Sequence, residues 1–249
     1  MKRNILLTAM MLAAGSLLAA DLKDEVTGAA KKLADSDSYS WKQTTEGGGG
    51  GRNGGGGRRG GGFGGGPMEG KIQKDGLIFL TITRGDNTQE VVLKGKKGAA
   101  KTEDGWKSLE ELASDDGGGG GGRGPAMMAR MLQNIKAPAV ALQDTIGNVK
   151  EFTKTDDGYT GDLTEEGAKT LLTFGPRRGG GNGPEISGAK GSLTVWVKDG
   201  LVSKYQVKVQ GTFSRDGNDT EVKRTTTTEI KDVGATKITP PDEAMKKIS

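Results

Sequence analysis

Leu193-Thr194-Val195-Trp196-Val197-Lys198-Asp199-Gly200-Leu201-Val202-Ser203-Lys204-Tyr205-Gln206-Val207-Lys208-Val209 decides the fold. Leu193, Val195 and Val197 alternate with Thr194 and Trp196. Beyond the turn, Leu201, Tyr205, Val207 and Val209 share one parity, and Lys204, Gln206 and Lys208 the other. A period of two with one polar face predicts antiparallel strands packed on one side. Asp199-Gly200 predicts a two-residue type I′ turn, which needs φ > 0 at both central residues. Asp75-Gly76, Asp104-Gly105, Asp157-Gly158 and Asp216-Gly217 repeat the device between strand-like runs, and Lys74-Asp75-Gly76-Leu77 copies Lys198-Asp199-Gly200-Leu201. The chain therefore reads as α+β: a meandering antiparallel sheet with helices inserted.

Working outward, Leu22, Val26, Ala29, Ala30 and Leu33 recur at helical spacing and predict an amphipathic helix. Residues 38–42 predict a first strand. Strands follow at 77–82 and 89–94, with a further strand over Ala99–Trp106. Ser108 with Glu111 three residues on is a capping-box signature for a helix over 107–113. Met127, Met128, Met131, Leu132 and Ile135 predict a methionine-rich helix over 126–136 that Pro138 breaks, with another turn or two over 140–146. Val149–Thr155 and Tyr159–Leu163 form a hairpin, and Thr164 opens a helix running to Leu172. Ile238-Thr239-Pro240-Pro241 stops the sheet, since paired prolines lie outside a central strand, and a short helix over 242–248 closes the chain.

Four blocks cannot build a core. Lys2 and Arg3, the apolar run Ile5–Leu18 and Ala19-Ala20 read as a signal peptide over residues 1–20, cleaved near Ala20. That run is shorter than the roughly 20 residues that span a bilayer, so the mature chain is expected to be periplasmic or secreted and not an integral membrane protein. Glycine-arginine tracts at 47–66, 117–124 and 178–183 have nothing to bury and much entropy to lose. They read as disordered surface-loop insertions beside helices or before strands, none interrupting a hairpin. What remains, residues 21–249 without the tracts, is sized for a single domain.

The chain has no cysteine and no histidine. This excludes disulfides, thiol catalysis and thiolate metal sites, and removes the commonest general base and transition-metal ligand. The net charge is +4, much of the excess being arginine within the glycine tracts. Glu165-Glu166 and Asp156-Asp157 are carboxylate pairs, but acids favour helix starts and Asp favours turns, and a glycosidase needs two carboxyls across a cleft. The oxygens of Asp216 to Glu221 do not match the ligand spacing of a calcium loop. No catalytic residue, metal site or cofactor is predicted. Arg58-Arg59-Gly-Gly-Gly-Phe63 has the composition of RNA-binding segments, but export excludes nucleic acid; weak contact of these loops with anionic envelope polymers is the expected use.

The element order and a few phrases carry a resemblance. An N-terminal helix leads into Ser38-Tyr-x-Trp41; Tyr159-Thr-Gly-Asp-Leu163-Thr-x-Glu-Gly-Ala168 precedes a helix; Leu193-Thr-Val-Trp-Val-Lys-Asp-Gly-Leu201 follows, and Ile-x-x-Pro-Pro closes the sheet. The chain resembles the LolA/LppX-like lipoprotein-carrier superfamily of bacterial envelope proteins. That resemblance implies an unclosed half β-barrel with helices on its concave face and an apolar cavity for a lipid or lipoprotein acyl chain. Family members of the LppX type carry a lipobox cysteine, which this chain lacks. In the periplasmic carrier an arginine inside the cavity helps to hold the lid; no arginine here is carried over to that role. Leu80, Ile82, Met127, Met131, Ile135, Tyr205, Val207 and Val209 are the cavity candidates, with Met127, Met131 and Ile135 facing inward from a lid helix, because methionine adapts to ligands of variable shape. Trp196 is expected to pack. The function read here is non-catalytic lipid binding; the alternative is a structural or interaction protein of the envelope without a usable cavity.

Overall fold

The structure, a computed structural model, describes residues 21–48, 66–114, 124–173, 185–215 and 218–249. The leader and most of the three tracts lie outside these, as does the Asp216-Gly217 turn. Eleven strands form one antiparallel sheet: β1 (Ser38–Gly47), β2 (Met68–Gln73), β3 (Leu77–Arg84), β4 (Asn87–Lys94), β5 (Lys97–Thr102), β6 (Gly105–Ser108), β7 (Thr153–Thr155), β8 (Gly158–Asp162), β9 (Glu185–Lys198), β10 (Leu201–Arg215) and β11 (Asn218–Lys231). Their order is β6-β5-β4-β3-β2-β1-β11-β10-β9-β8-β7, an unclosed half-barrel with edges at β6 and β7. The chain starts in the middle and steps outward to β6. It then crosses through helices to the opposite edge and steps inward until β11 pairs with β1, from Ser40 opposite Lys231 to Gly47 opposite Arg224.

Helix α1 covers residues 21–34. It is followed by α2 (Leu109–Ser114), α3 (Pro125–Gln133), α4 (Pro138–Gly147), α5 (Glu165–Leu172) and α6 (Asp242–Ile248). Val26, Ala30 and Leu33 of α1 are fully buried. They pack with Leu132 of α3 and Leu142 and Ile146 of α4 against Leu80, Ile82, Val91, Leu193, Val195, Tyr205 and Val209 of the sheet. Each fully buried Val, Leu or Ile among them contributes about 1.5–3 kcal/mol. Leu77, Val92, Ala99 and Trp106 point to the convex face, where Ala244 and Ile248 of α6 cover them. At Gly70 the Trp41 ring lies on the β2 backbone, and a Cβ there would sit 2.2 Å from Trp41 Cζ2.

Turn chemistry holds where loop length agrees. Asp199 has φ 54° and Gly200 φ 74°, and Leu201 pairs with Lys198 across the two-residue turn. The copied tetrapeptide behaves differently. β2 ends at Gln73 and β3 begins at Leu77, so three residues make the loop and of these only Gly76 has positive φ. Asp75 instead accepts from Leu77 N–H at 3.1 Å and pairs with Lys94 at 2.9 Å.

Several expectations are corrected. The strand over Ala99–Trp106 is two strands, because Gly105 turns back to pair with Thr102. Pro138 does not merely end α3: it occupies the first turn of α4, where its missing N–H costs nothing. The strand over Val149–Thr155 shrinks to β7, leaving a single bridge from Val149 to Leu163. The first tract does interrupt a hairpin, since it joins β1 to β2, which pair as neighbours.

Candidate functional site

The concave face has a filled zone and a shallower one. In the filled zone Tyr39 and Tyr205 rise from β1 and β10 to hold the start of α4. Ala139 N–H donates to the Tyr39 hydroxyl, and the Tyr205 hydroxyl donates to the Pro138 carbonyl, both at 3.3 Å. Burial pushes the Tyr39 hydroxyl up to about 12 and Tyr205 upward as well. Both stay neutral near pH 7 and act as struts. The Trp41 indole N–H is buried beside them without a hydrogen-bond partner among the described residues. Leaving such a group unpaired costs about 1–3 kcal/mol.

The shallower zone lies where β9, β10 and β11 run on towards Glu185, Arg215 and Asn218. Register places Val207 opposite Thr226, Val209 opposite Arg224, and Phe213 opposite Thr220 on this face. Ile186 pairs with Phe213, and Met68 with Gln43 of β1. Met68, Leu171, Ile186, Val207, Phe213 and Val222 pack against the core yet remain half-buried. A polar column runs down the middle. Thr226 and Thr45 hydroxyls meet at 3.3 Å, and the Arg224 guanidinium donates to the Leu171 carbonyl near the end of α5. Burial holds the Arg224 pKa below its ordinary value.

Of the eight cavity candidates, Leu80, Ile82, Tyr205 and Val209 line the filled zone as core, and Val207 lies half-buried in the shallower one. Met127 and Met131 are half-buried on α3, whose packed side is instead Met128, Ala129, Leu132 and, just beyond, Ile135. Met128 Sδ accepts from Gln89 Nε2 at 3.2 Å, which seats α3 over the end of β4. Leu171, Val222 and Arg224 were not among the candidates; along β11 the parity of Val222 and Arg224 with Ile230 is the signal that places those two on this face, whereas Leu171, on a helix, offers no such parity.

Two open hollows, of about 70 and 490 Å³, lie instead beside α2 and α6, with Lys96, Lys97, Lys247 and Glu110 around one and Asp104, Lys107 and Glu111 around the other. Their polar walls do not suit an acyl chain. Glu165 pairs with Lys169 at 2.7 Å on α5, and Thr164 caps that helix. Trp196 packs on the convex face with Lys204 Nζ 4.0 Å from its ring centroid. Among the described residues no cluster of three or more acidic side chains could hold a metal ion, and no helix is long and apolar enough to cross a membrane.

No family model matches the chain, and no curated protein matches it. Among solved structures it is similar to LprF from Mycobacterium bovis, with 11% identity and a TM-score of 0.43 over 90% of this chain and 98% of that one. It is also similar to a mutant of the vaccine antigen transferrin binding protein B from Haemophilus parasuis Hp5, with 8% identity and a TM-score of 0.25 over 82% of this chain. The chain spans only 28% of that second protein. At such scores the fold rests on the strand register itself.

Proposed function

We propose that this chain is an exported, non-catalytic envelope protein that binds a lipid or lipoprotein acyl chain. What supports it is the shallower zone of the concave face, where Met68, Leu171, Ile186, Val207, Phe213 and Val222 face inward yet stay half-buried. Each methylene removed from water there is worth about 0.8 kcal/mol, so ten covered methylenes give about 8 kcal/mol, the scale of a micromolar Kd. Helix α3 follows one glycine tract and precedes Pro138, and Met128 seats it over Gln89 of β4. The sequence resemblance to the lipoprotein-carrier superfamily agrees with this reading, and the signal-like residues 1–20 support an exported location. The filled zone favours a second reading, a structural envelope protein, because α1 and α4 already occupy the deepest part of the concavity.

Native mass spectrometry of protein from its own envelope, with titration of a fluorescent fatty-acid probe, separates the two. The lipid reading expects a co-purifying mass and micromolar probe binding that Val207→Asp weakens at least about tenfold, since a carboxylate against apolar lining is penalised. A bare mass and no probe uptake by the parent would leave the structural reading.

A further inference from the structure

Arg224 stands on the concave face between Gly47 of β1 and Val209 of β10. Gly47 offers no side chain to cover it. A Cβ there would meet the Lys223 carbonyl oxygen at 2.2 Å, so among the described residues β1 contributes no side chain at this position. A guanidinium carries five N–H donors and stays charged in proteins. Among the described residues its one hydrogen bond goes to the Leu171 carbonyl, and no carboxylate pairs with it. Val209 across the register, Val222 on one side along the strand and Leu171 above are apolar, while Thr226 on the other side carries a hydroxyl. A cation drawn out of water without an anion is unfavourable. Interaction with the C-terminal end of α5 uses one donor and leaves the rest of the fork open to a carboxylate or phosphate.

The geometry points to Arg224 as the anchor for the acidic headgroup of a single-chain amphiphile, a carboxylate or phosphate monoester whose chain lies along Val222, Val207 and Leu171. This rests on the acyl-chain reading above and adds the sign of the headgroup. The test compares cis-parinaric acid with its neutral methyl ester at neutral pH, using the full chain. The parent should bind the acid about tenfold more tightly than the ester, the scale of a charge-assisted hydrogen bond. Arg224→Met should bring the acid down to the ester while leaving ester affinity within about twofold, and Arg224→Lys should keep part of the preference. Millimolar inorganic phosphate should displace the acid no better than chloride of equal ionic strength.

Equal affinity for acid and ester in the parent, which needs no variant, overturns the proposal and leaves acyl binding standing. So does an acid preference that survives Arg224→Met in protein with an unchanged circular dichroism spectrum; Arg224 would then serve only to cap α5. Displacement by phosphate alone overturns the amphiphile in favour of a free-anion site. If neither probe binds the parent, the acyl reading itself fails and this one falls with it.

Discussion

Tyr39 carries a consequence for pH. Its hydroxyl is buried against α4 and its pKa is raised to about 12 from an ordinary 10. The unfolded chain would lose this proton first, so the folded state is favoured fully below pH 10 and loses that advantage as pH climbs towards 12. Two pKa units correspond to about 2–3 kcal/mol. Stability followed by denaturant titration should therefore be flat from pH 8 to 10 and fall steeply above about 10, and Tyr39→Phe should flatten that fall while costing about 1–2 kcal/mol at neutral pH for the Ala139 N–H left unpaired. A fall of equal steepness in the variant would assign the effect to other groups. Arg224 shows why single residues were harder to place from sequence. It sits in Lys223-Arg224-Thr225-Thr226-Thr227-Thr228, where both parities are polar. Only Val222 and Ile230 at the ends of the run mark the inward side, and nothing local says that α5 lies above it.

Elements were legible where the signal is local and self-contained. The Ser108–Glu111 box is formed in full: Glu111 N–H donates to Ser108 Oγ at 3.1 Å, and Ser108 N–H donates to Glu111 Oε2 at 2.6 Å. Lys247 of α6 also donates to that carboxylate, at 2.6 Å. Lys247, and then the Ser108 N–H, hold the Glu111 carboxyl below its usual range, so the box stays ionised in moderate acid. Ser108→Ala should cost about 1 kcal/mol, a lowering of Tm by roughly 2–4 °C at this size. An unchanged Tm would mean that Lys247 alone holds α2 to α6. Element boundaries failed where tertiary context decides. The rotation of α3 that buries Ala129 and Leu132, with Met128 rather than Met127 and Met131, follows from what lies beneath it, and a methionine-rich helix looks apolar from nearly every side.

At the scale of the molecule, sequential hairpins were readable and the closure was not. Turns specify neighbours along the chain, so the β2–β3, β3–β4, β9–β10 and β10–β11 pairings follow from Asp-Gly and Gly-Asp signals, whereas β4–β5 turns on Gly95-Lys96 and the split of β5 from β6 was not read. The pairing of β1 with β11 joins residues such as Thr45 and Thr226, and no short-range feature announces it. This central seam bears on the glycine tracts. Residues 49–65 connect Gly48 to Gly66, the ends of paired strands, and the other two tracts connect elements that already have buried faces of their own. Glycine has no side chain to bury, so the composition of the tracts predicts no contribution to the core. Loop-closure entropy changes slowly with length, about 0.6 kcal/mol per doubling. Replacing all three with short Gly-Ser turns should therefore leave the circular dichroism spectrum intact and move Tm by less than about 5 °C, since shorter loops offset any loss of contacts at the rim. A fall beyond about 10 °C exceeds what loop entropy can supply at this size. It would mean that the tracts cover the half-buried side chains around Val207 and Phe213 themselves, and the occupant of that face would then be this chain's own loops rather than an acyl chain.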